Sequence, residues 1–352
     1  MNILQLLLIL KLLETINLPV SIAGPKRQRM EFGESSGKAK TKLSVKCHCR
    51  KYSIEQINLH IDRTIYSVDG GIINLKVDEN EIIGQGDLGS VFHAYWNEGG
   101  VCLALKSSHI LNSPSDNKRI WAENEVKILE YFSNLEENER NYIIYMYGHN
   151  EIKENRKNFK LVGLELAGMN FLYYFNEIIQ IYPETEEKIG LFDSFKRKFG
   201  IGTNTSINRL ESILTDMLKC SARALEQFHK HAVHRDIKAQ NYVLPYKHNL
   251  NEQLTDCKLI DFATSFIKTN MQNYQIDYLM KEDVLDFGKM FINLIGENNV
   301  RINDNGTLNR VIMGCLHESE RPNMTQIVKF LDENCDGFEY EIQNLPANSI
   351  LC

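Results

Sequence analysis

The sequence predicts an α+β protein in which a sheet-rich part precedes a helical part. Between residues 62 and 105, short runs rich in β-branched and aromatic residues follow one another, separated by turn-forming residues. From about residue 120 the apolar residues recur every three or four positions, which is the period of an amphipathic helix. Strands that come first and helices that come later favour an α+β fold over an alternating α/β fold.

Five segments carry the strand prediction, and two segments carry the clearest helix prediction. The strand segments are residues 64–67, 71–75, 81–83, 90–95 and 101–105. The helices run from Ile120 to Phe132 and from Leu210 to His229. The apolar face of the second helix consists of Leu210, Ile213, Leu214, Met217, Leu218, Ala222, Leu225 and Phe228.

Length and composition exclude several classes of protein. A chain of 352 residues is long enough for two domains or for one large two-lobed domain. Apolar residues make up 43% and charged residues 24%, which excludes collagen, a coiled-coil rod and a wholly disordered chain. The 40 Lys and Arg residues against 46 Asp and Glu residues give a net charge of -6, so no nucleic-acid partner is expected.

The first 61 residues are expected to precede the folded domain. Residues 1–23 resemble a secretory signal peptide, because an apolar run leads to Ser21 and Ala23 at the minus-three and minus-one positions of a cleavage site. The uninterrupted apolar run is too short for a membrane span. Secretion is therefore the expectation, and a cytoplasmic or nuclear protein with an N-terminal amphipathic helix is the alternative.

The rest of the chain divides into three parts. Residues 24–61 are predicted to be a basic linker, in which Lys26, Arg27 and Arg29 form the alternative nuclear-localisation patch. Residues 62–335 are predicted to be the folded domain, and residues 336–352 a C-terminal tail.

The eight cysteines are too few for a disulfide scaffold, and most of them sit singly in apolar stretches. Cys47 and Cys49, on either side of His48, form the one cluster in the sequence. A single intervening residue is tighter than the usual zinc spacing and no second ligand pair follows, so the sequence predicts no metal there.

A glycine-rich segment lies between two predicted strands. Gly84, Gly86 and Gly89 are followed by Val91, and this context is that of a hairpin rather than of a loop that opens a helix. Glycines allow a backbone to approach phosphates and expose its N–H groups to them. Val91 can cover a flat apolar ring.

Lys106 and Glu125 form a second candidate element. Lys106 is flanked by apolar residues on the next strand, where its ammonium must either leave the core or meet an anion. Glu125 lies in the following helix, 19 residues further on. A pair between the two would hold the ammonium on the α- and β-phosphates of a nucleotide.

The most informative stretch, residues 233–243, reads Val-His-Arg-Asp-Ile-Lys-Ala-Gln-Asn-Tyr-Val. It resembles the H-R-D-x-K-x-x-N catalytic loop of protein kinases. The resemblance implies that Asp236 would orient a substrate hydroxyl and accept its proton, that Lys238 would neutralise the transferred phosphoryl group, and that Asn241 would ligate magnesium. Asp261 follows an apolar strand run and would bridge magnesium to the β- and γ-phosphates.

In this order the motifs resemble those of the eukaryotic protein kinase domain, over residues 77 to 335. The resemblance implies a bilobal kinase-like fold, with a small antiparallel β-sheet N-lobe that carries an αC helix and a larger, mainly helical C-lobe. It also implies ATP and Mg²⁺ as cofactors and a protein substrate whose hydroxyl group receives the γ-phosphoryl group. Lys238 is typical of Ser/Thr rather than Tyr kinases, so the implied activity is of a divergent serine/threonine type.

The same resemblance implies how ATP would be bound. The segment Leu161 to Gly168 resembles the strand and hinge that link the two lobes. The backbone of Glu165 and Ala167 would contact adenine. The adenine ring would lie among three apolar side chains, those of Val91, Ala104 and Val243.

Departures from that family favour an alternative without catalysis. Ala263 replaces the glycine that follows Asp-Phe, which is expected to stiffen this hinge without removing the Asp261 carboxylate. The segment from Asp261 to Asp283 is short and contains no Ala-Pro-Glu sequence, so Arg321 has only Glu282 as a candidate partner. The alternative is a pseudokinase scaffold that binds ATP or a partner protein, and phosphorylation of a small molecule is the third hypothesis.

Overall fold

The computed structural model describes residues 46–111, 113, 116–182 and 205–352. The predicted signal peptide at residues 1–23 and most of the predicted basic linker lie outside the described residues. Within the described part of the chain, no helix is both long enough and apolar enough to cross a membrane.

Six antiparallel strands form the first part of the structure. They are β1 (Ile61–Tyr66), β2 (Ile72–Gly86), β3 (Gly89–Trp96), β4 (Val101–Ile110), β5 (Met146–Glu154) and β6 (Lys157–Glu165). Neighbouring strands pair in the order β1-β2-β3-β4-β6-β5, and β1 meets β5 where Tyr66 pairs with His149. The sheet is therefore a closed barrel.

The prediction of a kinase-like bilobal fold with a small antiparallel β-sheet N-lobe is wrong, because the six strands close into a barrel that has no free edge between β1 and β5. The long strand β2 carries register shifts between Val77 and Ile82 and between Ile82 and Gly84, and such irregularities increase the local twist that closure needs. Gly148 in β5 lets β1 approach closely, since a Cβ atom there would lie 2.2 Å from the carbonyl oxygen of Tyr66. Neither feature has a signal in the sequence pattern.

Alternation along the strands fills the barrel. In β2 every second residue from Ile73 to Val77 is buried, while the intervening residues are exposed or half-buried. A period of two places one set of side chains on the inner face of a sheet. The buried apolar residues of this barrel core are Ile65, Ile73, Leu75, Val77, Ala94, Leu103, Leu105 and Leu161.

Helices make up most of the rest of the described chain. They are α1 (Ile54–Ile57), α2 (Asn117–Ser133), α3 (Glu137–Arg140), α4 (Phe171–Ile181), α5 (Thr205–His229), α6 (Asn273–Glu297), α7 (Thr307–Leu316) and α8 (Met324–Leu331). Four short strands lie among them: β7 (Ala232–Val233), β8 (Tyr242–Val243), β9 (Lys258–Leu259) and β10 (Phe266–Ile267). Residues 239–241, 268–270 and 339–344 form 3-10 turns.

A stack of aromatic rings connects the barrel side of the molecule to the helical part. The ring of Phe132, at the end of α2, stacks on Phe228 of α5 with centroids 5.0 Å apart. Phe228 in turn stacks on Phe262 with centroids 5.2 Å apart. All three rings are almost fully buried, so α2 is fixed against the helical core.

The segments at both ends of the described chain pack against the folded core. In the predicted linker, Lys46 bridges to Ser53, and α1 packs its buried Ile57 beside Tyr95 of β3. In the predicted tail, Cys352 forms a disulfide with Cys335.

Candidate functional site

The hairpin between β2 and β3 carries the predicted glycine loop. Gly86 pairs with Gly89 at its tip, and Gly84 pairs with Val91. Gly89 has a φ of 156°, and a Cβ atom there would lie 2.1 Å from the carbonyl oxygen of Ser107 in β4. Glycine at position 89 is therefore required by the close approach of two strands, whereas the Cβ position of Gly86 faces open space.

Lys106 and Glu125 meet between β4 and α2. The ammonium of Lys106 lies 2.7 Å from both carboxylate oxygens of Glu125, and Glu125 is only 2% exposed. Asp261 approaches the same ammonium, with its Oδ1 atom 3.6 Å from Nζ. Burial disfavours the charged ammonium, but the Glu125 and Asp261 carboxylates outweigh it and raise the pKa of Lys106.

The backbone conformation at Asp261 places its carboxylate beside the Lys106 ammonium. Asp261 has a φ of 65°, in the left-handed region. Its Oδ1 atom is buried and has no hydrogen-bond partner in the part of the chain that the structure describes. A buried carboxylate oxygen without a hydrogen bond is suited to a cation, and the Lys106 ammonium is the cation nearest to it among the described residues.

The segment after Asp261 is held by Asn124, the neighbour of Glu125 on α2. The side-chain amide of Asn124 donates to the carbonyl oxygens of Ala263 and Ser265, each at 2.9 Å, and approaches that of Phe262 at 3.4 Å. Alanine fits at position 263, whose φ is not positive. The helix that supplies Glu125 therefore also positions the segment that carries Asp261.

The loop that contains Asp236 is held in place by Asp283, a residue of α6 whose side chain is buried at 1% exposure. Its carboxylate accepts hydrogen bonds from the backbone N–H groups of His234 and Arg235, both at 2.7 Å. The ring of His229 also lies 3.0 Å from it. These charge-assisted bonds stabilise the positive φ of 67° at Arg235 that turns the chain toward Asp236.

Asp236, Lys238 and Asn241 form one hydrogen-bonded group. The Oδ2 atom of Asp236 accepts from Lys238 Nζ at 2.6 Å and from Asn241 Nδ2 at 3.1 Å. The side chains of Asp236 and Lys238 are 36% and 45% exposed, so a macromolecular substrate can reach them. Asn241 is buried, and its carbonyl oxygen accepts from the N–H of Ile260, the residue before Asp261.

The residues predicted to surround the adenine ring lie on two elements, the paired strands β3 and β4 and the short strand β8. Val91 pairs with Lys106 and His93 pairs with Ala104, so Val91, Ala104 and Lys106 share one face of the β3–β4 wall. Val243 lies in β8 and forms a bridge with Asn170 at the start of α4.

The two predicted hinge residues lie where β6 ends, since Glu165 is the last residue of this strand and Ala167 comes two residues later. The N–H of Glu165 donates to Tyr145 at 2.8 Å, and its carboxylate binds Lys258 at 2.6 Å. Ala167 packs against the main hydrophobic core. Gly168 then donates to the carbonyl oxygen of Leu244, which connects this segment to β8.

A second group of polar side chains was not predicted from the sequence. Cys47, Cys49, His93 and Cys102 come together with their ligand atoms within 4.8 Å of one another. Cys47 and Cys49 are close in the sequence, but His93 and Cys102 come from separate strands, so no local spacing indicates the group. Asn124 was missed for a similar reason, since the carbonyl groups that it binds lie 138 to 141 residues further along the chain.

No protein-family model and no curated protein matches this chain. The resemblance to the eukaryotic protein kinase family is therefore wrong as an assignment, because neither the closed barrel nor a family match supports it.

Proposed function

We propose that the protein transfers the γ-phosphoryl group of ATP to a hydroxyl group of a protein substrate, with serine or threonine as the acceptor. The observation that carries this proposal is the triad of Lys106, the buried Glu125 and the half-buried Asp261, in which the Lys106 ammonium lies 2.7 Å from Glu125 and 3.6 Å from Asp261. One ammonium and two carboxylates leave one uncompensated negative charge. A partly buried excess charge of this kind favours a divalent cation that also binds phosphate oxygens.

Each group has a distinct role in this reaction. Lys106, held by Glu125, contacts the α- and β-phosphates, and the glycine loop at residues 84–89 covers them. Asn241 and Asp261 would hold Mg²⁺, which neutralises charge on the phosphates when it is bound. The substrate hydroxyl oxygen attacks the γ-phosphorus, the bond to the β–γ bridging oxygen breaks with its electron pair on ADP, and Asp236 accepts the hydroxyl proton.

Preorganisation supports catalysis by the loop around Asp236. Its backbone is fixed by Asp283, and its side chain is oriented by Lys238 and Asn241 before any substrate arrives. Phosphoryl transfer depends mainly on position and on charge stabilisation, so groups that are already ordered lower the barrier. Lys238 is also exposed and can meet the transferred phosphoryl group.

A second candidate function is that of a scaffold that binds ATP or a partner protein without efficient catalysis. The chain passes from β10 through one 3-10 turn directly into α6 at Asn273, which leaves little surface for a peptide between Asp261 and α6. Arg321 reaches Glu282 only at 3.8 Å and instead donates to backbone carbonyl groups of Cys315 and Lys281. This compact arrangement supports the scaffold as the second candidate.

Magnesium-dependent transfer of labelled γ-phosphate by the full chain, to itself and to generic Ser/Thr proteins, tests the proposal. We expect Asp236→Asn and Lys106→Met each to reduce transfer by at least about 100-fold, in the range of a lost general base or phosphate ligand. Lys76→Met is the matched control, because Lys76 also lies on a strand of the barrel but pairs with the exposed Asp62. Transfer that survives Asp236→Asn would contradict the proposed role of this residue. No transfer, together with thermal stabilisation by Mg-ATP, would favour the scaffold.

We also propose that the protein is secreted after removal of residues 1–23. The Cys335–Cys352 disulfide supports this proposal, because structural disulfides are characteristic of oxidising compartments. N-terminal sequencing of the protein from expressing cells is expected to give a start near Gly24. An intact Met1 would refute secretion by this route and favour the cytoplasmic or nuclear alternative.

A further inference from the structure

Three cysteines and one histidine converge where the N-terminal segment meets the barrel. The Sγ atoms of Cys47 and Cys49 lie 3.0 Å apart, and the Sγ of Cys102 lies 3.3 Å from that of Cys49. The Nε2 atom of His93 is 3.3 Å from the Cys49 sulfur. Cys47, His93 and Cys102 are at most 3% exposed, and Cys49 is half-buried, so the group is almost closed to solvent.

These distances match the size of one tetrahedral metal centre. A zinc ion with Zn–S bonds of ~2.3 Å and a Zn–N bond of ~2.0 Å holds its ligand atoms about 3.5 to 3.8 Å apart. The four ligand atoms here lie within 4.8 Å of one another, and their closest approaches are 3.0 to 3.3 Å. Small movements of side-chain torsions therefore bring all four atoms to one ion.

The strands hold His93 and Cys102 on the same side of the barrel wall. His93 pairs with Ala104 and Tyr95 pairs with Cys102 across β3 and β4, which makes His93 and Cys102 diagonal neighbours on one face. Diagonal neighbours are about 7 Å apart at the backbone and can share a ligand between their side chains. This pair forms one half of the site.

A tight turn supplies the other half. The N–H of Arg50 donates to the carbonyl oxygen of Cys47 at 2.8 Å, and Arg50 has a φ of 59°. The N–H of Tyr52 then donates to the Cys47 sulfur at 3.3 Å, a contact that stabilises a thiolate ligand. The turn points both of its sulfur atoms at the strand pair.

The outer contacts of the group fix the histidine and the turn. The ring of Tyr52 lies against that of His93 with centroids 5.0 Å apart, and the Tyr52 hydroxyl donates to Asp78 at 2.8 Å. The Nδ1 atom of His48 accepts from the backbone N–H of Cys102. Ligand residues that are held in this way lose little freedom when a metal binds.

We propose that Cys47, Cys49, His93 and Cys102 bind one Zn²⁺ ion in a structural site. Three sulfur ligands and one nitrogen ligand in tetrahedral geometry favour zinc among the divalent metals. Four protein ligands leave no open position for a substrate, which is the mark of a structural rather than a catalytic site. Each thiol that coordinates the ion releases its proton to solvent.

The zinc ion would attach the segment 46–57 to the barrel. Cys102 lies two residues before Ala104 and four before Lys106 on the same face of β4, so the site borders the wall that carries the phosphate-binding lysine. Loss of the metal is therefore expected to release the N-terminal segment and to loosen this wall. The zinc proposal does not depend on the proposed phosphoryl transfer.

Metal analysis of the full chain, purified without chelator, tests this assignment. We expect about one zinc per chain in the wild type and near zero in Cys102→Ser and in His93→Gln, because loss of one of four ligands greatly weakens a site of this type. Cys220→Ser is the matched control, since Cys220 is equally buried in α5 but lies outside the group, and it is expected to keep its zinc. Zinc content in both ligand variants equal to that of the wild type would overturn the proposal.

A second measurement covers the case in which the ligand variants fail to fold. The wild-type chain is treated with chelator and then titrated with Co²⁺, and we expect saturation at about one equivalent with the absorption bands of tetrahedral thiolate coordination. Hydrogen exchange is expected to become faster in residues 46–57 after metal removal and to return to its original rate with Zn²⁺. The site would be refuted by a wild type that contains no zinc, fails to bind Co²⁺ and shows, by mass spectrometry, a disulfide among Cys47, Cys49 and Cys102.

Discussion

Asp283→Asn is the substitution whose effect follows most directly from the structure. The Asp283 carboxylate has three donors around it: the backbone N–H groups of His234 and Arg235 at 2.7 Å and the ring of His229 at 3.0 Å. Oδ2 serves two of them and Oδ1 serves the third. Asparagine has the same shape but only one accepting oxygen, so at least one donor must face an N–H₂ group.

The expected cost can be worked out from these contacts. One buried donor left without an acceptor costs about 1 to 3 kcal/mol. The two bonds that remain lose their charge assistance, which removes about 1 kcal/mol each. We therefore expect Asp283→Asn to lower the free energy of unfolding by about 3 to 5 kcal/mol and to disorder the loop that carries Asp236.

The pH dependence of this difference has a definite sign. Burial acts to raise the pKa of Asp283, but its hydrogen bond and charge interaction with His229, together with the contacts to His234, outweigh burial and hold the pKa below its ordinary value. A carboxyl group whose folded-state pKa is depressed stabilises the fold fully above its unfolded pKa of about 3.9 and loses that contribution as the pH falls through the folded-state value. The stability gap between the wild type and Asp283→Asn should therefore be largest near neutral pH and shrink below about pH 4.

Urea unfolding at pH 7 and at acid pH, followed by circular dichroism, measures this gap. Asp286→Asn is the matched control, because Asp286 lies on the same helix with its side chain 41% exposed and pairs only with Lys289. Its effect is expected to stay within about 0.5 kcal/mol. The reasoning is refuted if Asp283→Asn destabilises the protein no more than Asp286→Asn does.

Three further substitutions test other parts of the structure. Gly89→Ala should lower the unfolding free energy by about 2 kcal/mol, because the new Cβ atom would overlap a neighbouring strand. Gly86→Ala should leave the stability nearly unchanged, because its Cβ position faces open space. Thermal melts compare the two variants, and equal melting temperatures would contradict the close approach at Gly89. Asn124→Ala removes the donor to two carbonyl groups at 2.9 Å and should lower the free energy of unfolding by about 2 kcal/mol. It should also weaken the proposed nucleotide binding, measured by calorimetry. Unchanged affinity and stability would contradict the role of Asn124. A double serine variant removes the Cys335–Cys352 disulfide, which spans 17 residues, and should lower the free energy of unfolding in urea by about 3 kcal/mol. We expect reductant to destabilise the wild type but not this variant.

Much of the candidate site could be predicted because its chemistry lies in short, ordered stretches. Asp236, Lys238 and Asn241 occupy one turn of chain, so their mutual contact follows from local geometry. The contact between Lys106 and Glu125 was also predicted, from the 19-residue spacing between a strand lysine and a helix glutamate. Periodicity likewise indicated the regions of α2 and α5.

Closure of the barrel could not be predicted in this way. It depends on one pairing between Tyr66 and His149, strands far apart in the chain, and on the missing side chain of Gly148 where they meet. A period of two specifies which face of a strand is buried but not which strand becomes the partner of a free edge. The family resemblance therefore led to a kinase-like N-lobe sheet, whereas the structure has a closed barrel.

The sequence by itself determined which residues carry charge and chemistry, and it indicated the regions of β1 to β4, α2 and α5, because side-chain type and apolar period act over a few neighbouring positions. Only the tertiary structure decided that β1 closes the barrel, that Asn124 holds the Ala263 and Ser265 carbonyl groups, and that Cys47 and Cys49 meet His93 and Cys102. These contacts join segments separated by tens of residues or more. The free energy that selects them comes from packing and hydrogen bonding of the whole fold, which no local pattern encodes.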